Sequence, residues 1–213
     1  MGSEGSCTRC EIRGSEGIGV ALQGGSAVIS DSEIFDSSAV PNIGGYGVVA
    51  IPYTEGSLTF ENELFLSEST VSGHATAGVW LEGPGSYLLQ GNTLEGGQQW
   101  AFNQALQVHG DALFAGYGVE AWDGEVGLLL QDNDIQDADG AGVFLHAASG
   151  ALDGNRFSGN ALDVVQQACD ADLISPLGLT GTEQVVLCSE DGDVAVLHMA
   201  IEVLGDLGGI SSE

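Results

Sequence analysis

The stretch "LLQGNTLEGG" at residues 88–97 returns as "LLQDNDIQDA" at 129–138 and, more loosely, as "ALDGNRFSGN" at 151–160. No other feature restricts the fold as tightly, because internal repeats decide architecture before any local propensity does. With the asparagine as a zero mark, Asn92, Asn133 and Asn155 align, and Ser32 and Ser69 fit the same slot. Three residues before the mark stand Ile29, Leu66, Leu89, Leu130 and Leu152; two after it stand Ile34, Val71, Leu94, Ile135 and Phe157. Four after it stand Asp36, Gly73, Gly96, Asp137 and Gly159. Both flanking slots are apolar in every copy, so coincidence is a poor explanation.

A second landmark precedes each mark. It reads "GIGVAL", "GYGVVA", "AGVWLE", "GYGVEA" and "AGVFLH", centred on Val20, Val48, Val79, Val119 and Val143. Each is a short alternating strand entered through glycine. The valine-to-mark distance is 12 to 14 residues except at Val48, where 21 residues imply an insertion within "IPYTEGSLTFENELF". A longer excursion, "QQWAFNQALQVHGDALFAG", separates the third and fourth units.

Units of roughly 22–28 residues, each holding two or three short strands broken by Gly, Asn, Asp or Ser, suit a parallel β-helix. No 3.6-residue apolar stripe persists, which excludes a helical repeat. Leucine-rich repeats need a denser leucine frame. Each rung of a β-helix lies about 4.8 Å above the last, so every strand pairs with its copy and the apolar slots stack into interior columns. The expected role of Ser32, Ser69, Asn92, Asn133 and Asn155 is a corner ladder. Asparagine tolerates left-handed backbone at a tight corner, and stacked amides can hydrogen-bond along the column.

On the G-x-G-V strands and the L-x-x-N-x-[ILVF] corners, residues 17–168 resemble the right-handed parallel β-helix repeat proteins, the pectate-lyase-like superfold. The implied fold is an all-β, right-handed parallel β-helix solenoid of about 5–7 rungs. Three segments are expected: a truncated rung carrying a C-x-x-C over 1–16, the repeats over 17–168, and a C-terminal cap over 169–213. The N-terminus lacks the basic-then-apolar pattern of a signal peptide and shows no apolar cap. The chain therefore reads as a piece of a longer protein with earlier rungs outside it.

A C-x-x-C pair can mean zinc, a redox centre or a small disulfide loop. Cys169 and Cys188 form no second tight pair, and no helix pattern follows Cys10. Two local disulfides, Cys7–Cys10 and Cys169–Cys188, are the simplest account and point to an oxidising, exported setting. The second would pin the cap.

With 3 Lys+Arg against 31 Asp+Glu the net charge is −28, and lysine is absent. Such a surface repels phosphate backbones, which excludes nucleic acid as a partner. With apolar residues at 43% and only 4 prolines beside 34 glycines, the chain packs rather than staying disordered. No stretch approaches the roughly 20 apolar residues of a membrane span.

The resemblance implies chemistries that can be checked. Lyases of this superfold use an Arg or Lys base beside carboxylate-bound calcium; here only Arg156 sits in the repeats, one rung from Asp134, where an exposed ion pair is the simpler role. Related hydrolases need clustered aspartates, Gly-His-Gly and Arg-x-Lys; "SGHAT" supplies only Gly73 and His74. The four histidines share no metal-binding spacing. Calcium is the one candidate ion, at Asp132, Asp134, Asp137 and Asp139, without the spacing of an EF-hand loop. Tyr46, Trp80, Tyr117 and Trp122 recur at related slots and could form a glycan-stacking platform.

Two functions follow. The leading one is a non-enzymatic structural or adhesive segment of an exported or cell-surface bacterial protein, without cofactor, meeting polysaccharide or other surface proteins. The alternative is a carbohydrate-active domain that binds or cleaves a polysaccharide.

Overall fold

The computed structural model describes residues 4–40, 44–97, 117–122, 126–146, 148–167 and 184–187, and among them there are strands and turns but no helix. The chain winds in six rungs of three strands. The first holds β1 (Glu4–Thr8), β2 (Glu11–Arg13) and β3 (Ile18–Gln23); the second β4 (Ser26–Ser30), β5 (Glu33–Phe35) and β6 (Tyr46–Ile51). A hairpin of β7 (Tyr53–Glu55) and β8 (Leu58–Phe60) then interrupts the winding. The third rung is β9 (Asn62–Ser67), β10 (Thr70–Ser72) and β11 (Ala77–Glu82), and the fourth β12 (Gly85–Gln90), β13 (Thr93–Glu95) and β14 (Tyr117–Trp122). The fifth is β15 (Val126–Gln131), β16 (Asp134–Gln136) and β17 (Ala141–His146), and the sixth β18 (Ser149–Asp153), β19 (Arg156–Ser158) and β20 (Leu162–Gln167). Corresponding strands stack parallel into three sheets, the third extended by β21 (Gln184–Leu187).

Register follows from burial. Ile29, Leu66, Leu89, Leu130 and Leu152 are successive partners in the first sheet. Ile34, Val71, Leu94, Ile135 and Phe157 do the same in the second. Val20, Val48, Val79, Val119 and Val143 do so in the third. These columns meet in one interior cluster. A slip of one residue would turn every column outward, so the register is strongly fixed.

The glycines that open the third-sheet strands have a steric cause. A Cβ on Gly118 would lie 2.6 Å from the carbonyl oxygen of Gly142 and 3.0 Å from Ile135. Gly19 and Gly47 are equally tight against the next rung's backbone, at 2.6 Å. Only glycine lets successive coils close at this corner.

The marked positions form a continuous ladder. Ser32 Oγ accepts the Cys10 N–H, Ser69 Oγ the Ser32 N–H, and Asn92 Oδ1 the Ser69 N–H, at 3.0–3.1 Å. Asn133 and Asn155 continue it at 3.0 Å each. Every asparagine also donates Nδ2 to a carbonyl one rung back: Leu66, Leu89 and Leu130. The left-handed backbone expected of the asparagines lies instead on the residue before the mark, at Asp31, Glu68, Gly91, Asp132 and Gly154. The reason is geometric. The mark's side chain must point into the coil to reach the neighbouring amide, so the preceding residue makes the corner and turns its own side chain to solvent.

At the N-terminal end, residues 4–13 pair in register with the second rung and form the start of the first. At the other end β21 runs parallel to β20 and continues the third sheet past residue 168. The disulfide among the described residues is Cys7–Cys10, bridging β1 to the residue before β2 at a Cα separation of 5.9 Å. Cys169, Cys188 and the rest of the expected cap lie outside the described residues.

Candidate functional site

The outward face of the third sheet gathers the four aromatic residues singled out above. Strand alternation turns Val48, Val79 and Val119 inward and their successors Val49, Trp80 and Glu120 outward, in one row that continues with Phe144 and Val165. One row along, Glu82 pairs with Trp122. At the strand starts, Tyr46 and Tyr117 both flank Ala77.

The rings pack on one another. Tyr46 and Trp80 have centroids 4.8 Å apart, Tyr117 and Phe144 stack at 5.1 Å, and Trp122 meets Phe144 edge-on at 6.2 Å. They belong to a second apolar cluster, separate from the coil interior. Its rings are not open platforms: Tyr117 and Phe144 are fully buried and Tyr46 nearly so, while Trp80 and Trp122 keep partial exposure.

Glu120 lies within this cluster, 3% exposed. Its Oε1 accepts the Trp122 Nε1–H at 2.6 Å. Burial pushes its carboxyl up to about 8; the Trp122 hydrogen bond opposes this, and the Glu82 charge adds to it. The carboxyl is therefore largely protonated at neutral pH. The Tyr46 hydroxyl is also held well above its usual range, by burial first and then by Glu120 and Glu82. A protonated acid beside an ionisable one, among indole and phenol rings, is the type of group that can serve as a general acid, and here its shown hydrogen bond is to Trp122. Composition hid Glu120 among 31 acids. The signal that could have found it is its slot, which holds Trp80 in one neighbouring rung and Phe144 in the other.

The acidic candidates are placed differently. Asp132 and Asp137 make left-handed corners on either side of β16. Asp134 is bound bidentate by Arg156, Nε to Oδ1 at 2.5 Å and Nη2 to Oδ2 at 2.7 Å, which holds its carboxyl below the usual range. Asp139 stands beyond the second corner. Among the described residues, no three His, Cys, Asp or Glu side chains come together as a metal-binding group.

His74 proves structural. It is buried, its Nδ1 accepts the Ser37 N–H at 3.3 Å, and its Nε2 donates to the Ile34 carbonyl at 3.1 Å. Asn160 makes the equivalent pair of bonds, with Ala138 N–H and the Ile135 carbonyl. Burial lowers the imidazole to about 4, against a smaller raising effect of the Ile34 bond. His74 is therefore neutral and stands in for an asparagine.

A family model described as a right-handed β-helix region matches residues 2–170. The chain belongs to this family. The match includes the first rung and ends three residues beyond β20. No curated protein and no solved structure matches this right-handed β-helix. Its members include structural and polysaccharide-active proteins. Among the described residues of the β-helix, no helix is long and apolar enough to cross a membrane.

Proposed function

We propose that this β-helix is a non-catalytic scaffold or adhesive segment of an exported or cell-surface bacterial protein. The observation that carries the reading is the Arg156–Asp134 fork. Arg156 is the one arginine or lysine in the coil outside the first rung, and one edge of its guanidinium, Nε and Nη2, is bound to a neighbouring rung. No lysine exists to replace it as a base. The remaining features support a rod: three sheets in unbroken register, an interior hydrogen-bond ladder, a strongly acidic exterior and a disulfide at the first corner. A disulfide and an acidic, lysine-free surface also suit export.

A second reading rests on Glu120. A carboxyl raised by burial, bonded to Trp122, in register with Trp80 and influenced by the Glu82 charge, is the type of group that serves as general acid in glycoside cleavage. One assay separates the two. The chain is incubated with neutral and acidic polysaccharides while reducing ends and unsaturated products are followed. The scaffold reading expects no release from any substrate. Release that Glu120→Gln abolishes would replace it with the second reading.

A further inference from the structure

The outward faces of the three sheets differ. On the second sheet, Glu33, Glu95, Asp134 and Arg156 hold charged positions. On the third, the central rings are already buried. Among the described residues, the first sheet carries an unbroken row of apolar side chains that keep exposure. Val28, Phe65, Leu88, Leu129 and Ala151 are successive partners across β4, β9, β12, β15 and β18. Each neighbours the inward column along its own strand and so points away from the coil. Val28 is 45% and Leu129 36% exposed, Ala151 is exposed, and Phe65 and Leu88 are half-buried.

The rows on either side are small and nearly uncharged. They hold Glu4, Ser26, Glu63, Ser86, Gly127 and Ser149 on one edge and Thr8, Ser30, Ser67, Gln90, Gln131 and Asp153 on the other. In a chain of net charge −28, a flat face with an apolar spine and three acids at its margins is the place where like charge repels least. Depletion of charge around an apolar centre is also what marks an interface.

We propose that this face pairs two copies of the chain, stripe against stripe, about a two-fold axis lying in the plane of the interface, parallel to the sheet. Two properties select a second copy. A basic partner would be drawn to the acidic faces, not to this neutral one. The stripe also repeats once per rung, about every 4.8 Å, and a second copy offers the same period, so its side chains interdigitate along the whole length. Five strands give a length of about 24 Å, and three outward rows a width of about 17 Å. The pair buries on the order of 800 Å², below the roughly 1,200 Å² of a permanent interface. The association is therefore reversible and concentration-dependent. Salt strengthens it, because screening reduces the repulsion between the two acidic bodies. Pairing does not depend on the scaffold reading, since an enzyme with this face would pair in the same way.

Sedimentation equilibrium of the full chain from micromolar to millimolar concentration, in low and in high sodium chloride, tests the proposal. Wild type is expected to dimerise at the upper concentrations, and at least tenfold more tightly in high salt. Leu129→Glu and Val28→Glu are expected to weaken the dimer tenfold or more. Both sites are open to solvent, and circular dichroism confirms that each variant is folded. Leu58→Glu, on the hairpin and 64% exposed in wild type, is expected to leave association unchanged. A wild type that stays monomeric at millimolar concentration in high salt would overturn the proposal. So would a dimer indifferent to both stripe variants, or one weakened equally by Leu58→Glu.

Discussion

Asn92 and Asn133 sit 41 residues apart in sequence and are joined twice: Asn133 Oδ1 accepts both the backbone N–H and the side-chain Nδ2–H of Asn92, each at 3.0 Å. The same group that gives Asn133 its partner also satisfies an amide that would otherwise be buried without one. The ladder therefore acts as a spine for the coil as well as a register mark.

Removing a middle member should cost more than removing one near the end. Asn133→Ala strands the Asn92 N–H and the Leu89 carbonyl inside the coil, and each buried unsatisfied group costs about 1–3 kcal/mol. A total loss of about 3 kcal/mol is expected from urea denaturation. Asn155→Ala, at a half-buried site, should cost less. Asn133→Ser should recover part of the loss, because Ser32 and Ser69 already serve as acceptors in this column. Equal losses for all three variants would contradict this gradation, and no loss in any of them would mean that the ladder adds nothing to stability.

The interior columns could be read from sequence because side chains alternate strictly along a strand, and Leu89, Leu130 and Leu152 repeat with the turn. Three things could not. The left-handed residues are the one before each mark and, at Asp36, Gly73, Asp137 and Gly159, the one four after it, so the asparagine that stands out in the repeat is not the residue that turns the chain. Cys10 occupies the first ladder slot, but it contributes a backbone donor, which no side-chain pattern records. His74 matches Asn160 only in where its two nitrogens fall, a likeness of shape and not of residue type. The aromatic face was legible as recurring slots. Its burial was not, because alternation tells which way a ring points and not what lies over it.

Left-handed corners can be tested through glycine. Gly154 has φ +66°. Gly154→Ala should lose about 1–2 kcal/mol, the cost of left-handed backbone for a residue with a Cβ. Asp132→Gly, at φ 54°, should show no comparable loss, since glycine relieves the same strain. Urea midpoints for the two variants check the contrast; a Gly154→Ala protein as stable as wild type would contradict the corner assignment.

Gly118 is constrained by contact instead. Gly118→Ala would force a methyl against the Gly142 carbonyl oxygen, where backbone cannot yield. A loss of about 2–3 kcal/mol is expected, within the usual range for overpacking. Thermal melts of this variant beside Gly5→Ala, where a Cβ would meet nothing within 4 Å, provide the comparison.

Two buried groups set the pH dependence with opposite signs. His74 titrates near 4 when folded and 6.5 when unfolded, so the unfolded chain binds the extra proton and stability falls as pH drops from 6.5 toward 4. Glu120 titrates near 8 folded and 4.5 unfolded, so the folded chain binds the extra proton and stability falls as pH rises from 4.5 to 8. Between 4.5 and 6.5 the two slopes cancel. From 6.5 to 8 only Glu120 acts, and about 2 kcal/mol should be lost. Glu120→Gln should flatten that fall. His74→Asn, which keeps an Asn160-like pair of bonds, should expose the Glu120 slope between 4.5 and 6.5. Urea midpoints across this range check both; a Glu120→Gln profile parallel to wild type would contradict the assignment.

The most direct measurement of the stacked coil is cross-linking between register partners. Gln90 and Gln131 are Cα partners on neighbouring rungs with side chains on the outer face of the first sheet. Parallel neighbours about 4.8 Å apart lie within disulfide range. The double variant Gln90→Cys with Gln131→Cys should oxidise to one intramolecular disulfide, mapped by mass spectrometry, with little change in fold. Pairing Gln90→Cys with Gly127→Cys, four residues out of register, should not. Efficient bridging of the second pair, or failure of the first in a folded chain, would contradict the in-register winding.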